Sequence, residues 1–120
     1  MKMKNMVLIT LINILVLLNA ACAVEPRKTV PEQFQAGQKH FHRVCANCHG
    51  PDAMGGNKAP KLVQEKYASE NFSNGKIART ILNGSTSGAM PSQRGKVTDD
   101  EIKEIIKYLR YSQKTHNAAL

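Results

Sequence analysis

The sequence predicts an all-α fold with three to four helices, and three observations support this prediction. Apolar residues recur every three to four positions in residues 32–45 and 99–109, and more briefly in residues 75–82. This spacing places them on one face of a helix. The stretches between these segments contain many glycines and prolines, which favour loops. A chain of 120 residues has room for one domain.

The first helix is predicted to begin after Pro31, and residues 24–31 are expected to form an extended, loosely held arm. The helix stripe consists of Phe34, Gly37, Phe41 and Cys45. A glycine inside a helix costs about 1 kcal/mol relative to alanine, so Gly37 on this stripe predicts the close approach of another backbone. His40 and His42 lie two positions apart and project in different directions. Both are expected at the surface rather than as joint metal ligands.

The last helix has the most regular pattern. Residues 98–101, Thr-Asp-Asp-Glu, predict a capping box with acidic side chains in the first turn. The apolar positions that follow are Ile102, Ile105, Ile106 and Leu109. Residues 112–120 lack this pattern and are expected to fray. Asn74 is the predicted N-cap of a middle helix over residues 75–82, and a short helix is predicted over residues 62–67.

The motif Cys45-Ala46-Asn47-Cys48-His49 organises the rest of the chain. Two thiols three positions apart, followed at once by an imidazole, can hold a haem within one turn of backbone. Cys45 and Cys48 can each add across a haem vinyl group to give a thioether. His49 is then carried beneath the iron as an axial ligand. The motif therefore predicts one covalently bound haem c.

Two other kinds of site also use a Cys-x-x-Cys pair. The pair could form a redox-active disulfide, or it could supply half of a zinc site. Zinc would need two further ligands at matching spacing, and the only other cysteine, Cys22, lies in a predicted leader. His49, directly after the second cysteine, favours haem over both alternatives.

Met90 is the predicted distal ligand of the iron. Pro91 disfavours the helical region for Met90 and so places its thioether on a stiff, extended segment. Met90 follows His49 by 41 residues with a helix between, so the chain can go round the ring and return on the other face. The alternative is that Met90 is ordinary apolar filling. Met54, only five residues beyond His49, could scarcely reach the opposite face.

These motifs resemble those of the class I monohaem cytochromes c of bacteria, over about residues 37–109. The resemblance implies the small cytochrome c fold, in which three to four helices wrap around one covalently attached haem. It implies that the Gly-x-Met-Pro segment at Met90 is the distal-ligand loop. It also implies that Pro60, in a Gly-x-x-x-Pro-x-Leu pattern after the haem histidine, supplies the carbonyl that fixes the ring of His49.

The same resemblance implies how the terminal helices pack. In related cytochromes, a glycine and an aromatic residue of the first helix cross an aliphatic residue and a tyrosine of the last. The matching positions here are Gly37, Phe41, Ile105 and Tyr108.

Residues 1–23 are predicted to be a secretory signal peptide. Lys2 and Lys4 are followed by an apolar run over residues 6–18 and by the small-x-small pattern Ala21-Cys22-Ala23. The apolar run is about 20 Å long as a helix, short of the roughly 30 Å needed to span a bilayer. The protein is therefore expected in the periplasm, with residues 24–120 as the haem domain and residues 32–111 as its ordered core. A lipid anchor at Cys22 is the alternative processing route.

The charge balance indicates the class of partner. The chain has 17 Lys and Arg against 9 Asp and Glu, a net charge of +8, which falls to +6 when Lys2 and Lys4 leave with the leader. A basic domain binds nucleic acid, anionic lipid or an acidic protein. Export argues against nucleic acid, and redox partners with an acidic docking surface are expected. A generally solvated basic surface is the alternative interpretation.

An iron bound by both His49 and Met90 has no open position, so it exchanges electrons only. The expected function is that of a monomeric electron-transfer protein, not an enzyme, acting between respiratory or dehydrogenase partners. One alternative is a haem subunit anchored to a membrane complex. Another is a ligand-binding or peroxidase-like haem protein in which Met90 can be displaced.

Overall fold

The structure is a computed structural model, and it describes residue 3 and residues 24–119. The predicted leader, with its cleavage and lipid-anchor alternatives, therefore lies outside the described residues apart from residue 3. Four α-helices and two short 3₁₀ turns make up the domain: α1 (Glu32–Val44), α2 (Ala46–His49), the turns Pro51–Ala53 and Glu65–Tyr67, α3 (Asn74–Asn83) and α4 (Asp99–Asn117). Residues 24–119 contain no β-strand, only one isolated bridge between Arg94 and Val97. The predicted all-α fold is confirmed.

Helices α1 and α4 pack mainly against each other, at the predicted crossing. Gly37 is buried against the backbone carbonyl of Glu104, and the rings of Phe41 and Tyr108 lie 5.6 Å apart. Phe41, Ile105 and Tyr108 are almost completely buried. This pair of helices forms the core on which the loops are built.

Helix α4 begins with the predicted capping box. The Thr98 hydroxyl accepts a hydrogen bond from the Glu101 N–H (3.2 Å), and the Glu101 carboxylate accepts one from the Thr98 N–H (2.8 Å). The helix continues to Asn117, so the predicted fraying after residue 111 is wrong over residues 112–117. Gln113 explains the extension, because its buried amide donates to two carbonyls of the loop over residues 62–67.

The middle of the chain departs from the predicted pattern in two places. Ser73, not Asn74, is the N-cap of α3, and its hydroxyl accepts the Lys76 N–H at 3.2 Å. Asn74 is the first helical residue, and its side chain accepts a hydrogen bond from Arg110. The predicted helix over residues 62–67 is only the 3₁₀ turn Glu65–Tyr67, which buries no side chain.

Residues 24–31 form no helix, but the prediction that this arm is loosely held is wrong, because two hydrogen bonds tie it to the domain. The Arg27 N–H donates to the Asp52 carboxylate at 2.9 Å, and the Lys28 carbonyl accepts from the Gln38 amide at 2.7 Å. Val24 and Val30 also pack against the core. None of the helices in the described part of the chain combines the length and the apolar character that a bilayer span requires.

Candidate functional site

A cavity of about 810 Å³ opens between the helices, and all five residues predicted for the site line it. They are Cys45, Cys48, His49, Pro60 and Met90. The apolar part of the wall comes from three helices and includes Phe41, Ile77, Ile81, Ile105 and Leu109. Cavities of a few hundred to about 1,000 Å³ with mainly apolar walls and a few placed polar groups are typical cofactor sites.

The two thiols lie where α1 passes into α2. Cys45 ends α1, and its carbonyl accepts the N–H of His49 at 2.9 Å. Cys48 is exposed, whereas Cys45 is partly buried. Burial raises the pKa of the Cys45 thiol to about 12. Redox-active Cys-x-x-Cys pairs depend on a lowered thiol pKa, so this environment disfavours a catalytic disulfide.

The zinc alternative also finds no support. Among the residues that the structure describes, no group of three or more His, Cys, Asp or Glu side chains is arranged to hold a metal ion. A structural zinc site needs four such ligands.

His49 is buried, and its ring is oriented by the chain that follows it. Nδ1 of His49 lies 2.9 Å from the carbonyl oxygen of Pro60. A carbonyl can only accept, so Nδ1 carries the proton and the lone pair on Nε2 is free to bind a metal. The loop between them is held by the Gly55 N–H, which donates to the His49 carbonyl at 2.7 Å.

His42 is buried, so the prediction that it lies at the surface is wrong. Its Nδ1 donates to the carbonyl of Gln38 at 2.7 Å, and its Nε2 accepts the backbone N–H of Asp52 at 3.1 Å. Asp52 and Ala53 both have left-handed backbone, with φ of 56° and 60°. Such residues cost of order 1 to 3 kcal/mol each unless their surroundings hold them, and His42 supplies one of the restraints.

His40 agrees better with the prediction, since it is partly exposed. Its Nδ1 lies 3.2 Å from Oε1 of Glu101, the residue that also closes the capping box of α4. Neither histidine lines the cavity.

Met90 is partly buried against the core, and it reaches the cavity from a loop between α3 and α4. Met54 is 36% exposed and is not among the residues that line the cavity. The structure therefore brings Met90, and not Met54, into the same cavity as His49.

Arg110 and Gln113 of α4 hold the wall of the cavity, and the sequence pattern did not single them out. The Arg110 guanidinium donates to the carbonyls of Tyr67 and Phe72, and the Gln113 amide donates to those of Leu62 and Tyr67. Gln113 lies four positions after Leu109 and so continues the apolar stripe of α4. A polar residue on such a stripe could have signalled a buried hydrogen-bonding role.

A small helical fold around an apolar cavity, with a Cys-x-x-Cys-His turn in its wall, defines a c-type cytochrome. Residues 32–109 match the family described as cytochrome C oxidase, cbb3-type, subunit III, and the chain belongs to this family. Members of the cytochrome c class carry covalently bound c-type haem, and the residues here fit that group: both thiols and the free Nε2 of His49 are in place.

One curated relative is the cbb3-type cytochrome c oxidase subunit CcoP of Rubrivivax gelatinosus. It is 30% identical over 88 residues, which cover 72% of this chain and 29% of that protein. The chain thus spans less than a third of the relative's length. No solved structure matches the chain significantly.

Proposed function

We propose that the protein is a monohaem electron carrier of the class I type, exported to the periplasm, with His49 and Met90 as the axial ligands of its iron. The observation that carries the proposal is the placement of His49 and Met90 on the lining of one cavity, together with both thiols. A haem bound there would supply one-electron exchange between Fe(III) and Fe(II).

The residues of this chain perform three tasks in the proposed function. Cys45 and Cys48 hold the group through thioether bonds. Pro60 accepts the Nδ1 proton of His49, which fixes the ring and increases the basicity of Nε2. Met90 would hold the iron through a soft thioether, and the apolar wall would exclude water. Both effects favour Fe(II) and raise the potential relative to a bis-histidine site.

A closed sixth position favours a carrier over an enzyme, because neither oxygen nor peroxide finds an open site. The proposed partners are redox proteins with an acidic docking surface. Lys58, Lys76 and Arg79 support this proposal, since they are exposed and also contribute to the lining of the cavity. A monomer is the proposed oligomeric state.

A second candidate function is that of a haem subunit of a membrane-bound oxidase complex. The relative named as a subunit of cbb3-type cytochrome c oxidase favours it. Isolation from native membranes and from the periplasmic fraction separates the two candidates. A subunit would co-purify with other oxidase subunits, whereas a carrier would be recovered alone.

Spectroscopy of the purified haem protein tests the carrier proposal. Oxidised protein is expected to show the weak near-infrared charge-transfer band of sulfur bound to ferric iron, and reduced protein to bind carbon monoxide slowly. Met90→Ala should remove the band, lower the potential and admit carbon monoxide rapidly, while the control Met54→Ala changes little. A wild-type protein that lacks the band and binds carbon monoxide as fast as Met90→Ala would favour a ligand-binding or peroxidase-like function.

A further inference from the structure

Two hydrogen bonds between Ser85 and Met90 close the loop over residues 85–90. The Ser85 N–H donates to the Met90 carbonyl at 2.9 Å. In the opposite direction, the Met90 N–H donates to the Ser85 hydroxyl oxygen at 3.0 Å. Both backbone polar groups of Met90 are therefore paired with one residue, five positions earlier in the chain.

The two ends of this loop pack closely together beside the C-terminal end of α3. Gly84, which caps α3, has φ of 82°, and a Cβ added to it would stand 2.6 Å from the Met90 carbonyl oxygen. On the other side of Met90, the Gln93 N–H donates to the Ile81 carbonyl at 2.8 Å. Met90 is thus flanked by contacts to the end of α3, through Gly84 and Ser85 before it and through Ser92, Gln93 and Arg94 after it.

Among the described residues, the Ser85 hydroxyl is the only side-chain group that forms a hydrogen bond with the backbone of Met90. Pro91, which follows Met90, has no backbone N–H and therefore cannot donate a replacement hydrogen bond. A partly buried N–H without a partner costs free energy, which makes the loop with this bond formed the favoured arrangement. Removal of one oxygen atom from Ser85 tests the contact directly.

We propose that Ser85 is a positioning residue for the distal ligand: its hydroxyl holds the Met90 backbone in the arrangement that keeps the Met90 thioether on the iron. This inference rests on the proposed ligation by Met90. Ser85 also lines the cavity, but the role proposed for its hydroxyl is the contact with the Met90 backbone. Its role is to set the fraction of molecules in which the Met90 loop has opened.

The size of the effect follows from the value of one neutral hydrogen bond. Its loss raises the population of the open loop about threefold to tenfold. Carbon monoxide binds reduced iron only in the open population, so its binding rate rises by the same factor.

The experiment uses the full haem protein and two variants of nearly the same shape, Ser85→Thr and Ser85→Val, which differ mainly in one hydroxyl. Ser85→Thr is expected to bind carbon monoxide at about the wild-type rate and to retain the charge-transfer band. Ser85→Val is expected to bind it about threefold to tenfold faster and to lose the band at lower temperature. Thr86→Val is the matched control, because it removes a hydroxyl from the adjacent residue of the same loop.

The thermal midpoint of global unfolding is measured for each variant alongside the band. Equal carbon monoxide rates in Ser85→Thr and Ser85→Val would overturn the inference, as would an equal acceleration in Thr86→Val. Either result leaves the carrier proposal standing as long as the wild type shows the band. A wild type without the band overturns the carrier proposal itself, and the inference about Ser85 with it.

Discussion

Gly37 of α1 and Tyr108 of α4 lie so close that a Cβ built on Gly37 would stand 2.7 Å from the Cβ of Tyr108. The same added atom would also overlap the backbone carbonyl of Glu104. Backbone contact of this kind is available only to glycine, and it sets the distance between the two helices that support the cavity.

Gly37→Ala is therefore expected to destabilise the protein by about 1 to 3 kcal/mol, since the added methyl group must push the two helices apart. Helix propensity alone would predict the opposite sign, a gain of about 1 kcal/mol. Urea unfolding at neutral pH measures the difference. Gly75→Ala is the control, because a Cβ there meets only the Arg79 guanidinium at 3.6 Å. If both substitutions stabilise the protein, the helices are not in contact at Gly37.

Arg110→Lys is expected to lower the free energy of unfolding by about 2 kcal/mol. Lysine keeps the charge but cannot reproduce the planar fork that serves the carbonyls of Tyr67 and Phe72 and the side chains of Asn74 and Gln113 together. Partial burial lowers the pKa of Arg110. Arg94→Lys is the comparison, since Arg94 is exposed and its guanidinium donates to Asn83. Equal losses in the two variants would contradict the structural role of Arg110.

Acid should weaken the junction between α1 and α4 through Glu101. The hydrogen bond from the Thr98 N–H holds the pKa of the Glu101 carboxyl below its usual 4.5, and Arg43 and His40 act in the same direction. A lowered folded-state pKa gives stability that is present above pH 4.5 and is lost as the pH falls through the folded-state value.

Wild-type stability should accordingly fall more steeply between pH 5 and pH 3 than that of Glu101→Gln, which has no carboxylate to protonate. Urea midpoints across this range of about two pH units measure the slopes. Glu25→Gln, in the exposed part of the arm, should follow the wild-type slope. If stability depends on pH in the same way in the wild type and in Glu101→Gln, the Glu101 carboxyl has the same pKa in the folded and unfolded chains. That result would contradict the prediction.

Salt is expected to slow electron exchange with an anionic reagent. Lys58, Lys76 and Arg79 are exposed and line the cavity. The Debye length falls from about 10 Å at 0.1 M salt to about 3 Å at 1 M, which screens their attraction. Stopped-flow oxidation by ferricyanide measures how steeply the rate falls as the salt concentration rises. Lys58→Gln should weaken the salt dependence of the rate more than Lys39→Gln does, because Lys39 is an exposed residue of α1 that does not line the cavity. A rate indifferent to salt would mean that these cations only solvate the surface.

Local signals in the sequence predicted the elements that depend on neighbouring residues. The capping box at Thr98 needs only Glu101 three positions later, and it was found where predicted. Gly37 on the apolar stripe of α1 indicated the close approach of another backbone, whereas the resemblance to class I cytochromes c implied that α4 supplies it. The presence of a c-type haem followed from five consecutive residues, because the chemistry of attachment fixes their spacing. The roles of Met90 and Pro60 remain predictions.

Tertiary contacts decided the features that the sequence could not give. Ser73 and Asn74 are both good N-caps, and Ser73 takes the position because Arg110, 36 residues away, engages the Asn74 side chain. His42 is polar, yet it is buried because a strained turn ten residues later offers its Nε2 a donor. Neither partner can be identified from residues close by in the chain.

The packing of α1 against α4 should allow the haem domain to be fused to other proteins. The first and last helices of the domain are each other's main packing partners, so the fold closes on itself before anything is joined to either end. A comparable segment makes up 29% of the Rubrivivax gelatinosus subunit and is therefore part of a longer polypeptide there. Fusions at residue 24 or after residue 117 should leave the core intact. The domain could therefore be joined to another protein to supply it with a redox centre.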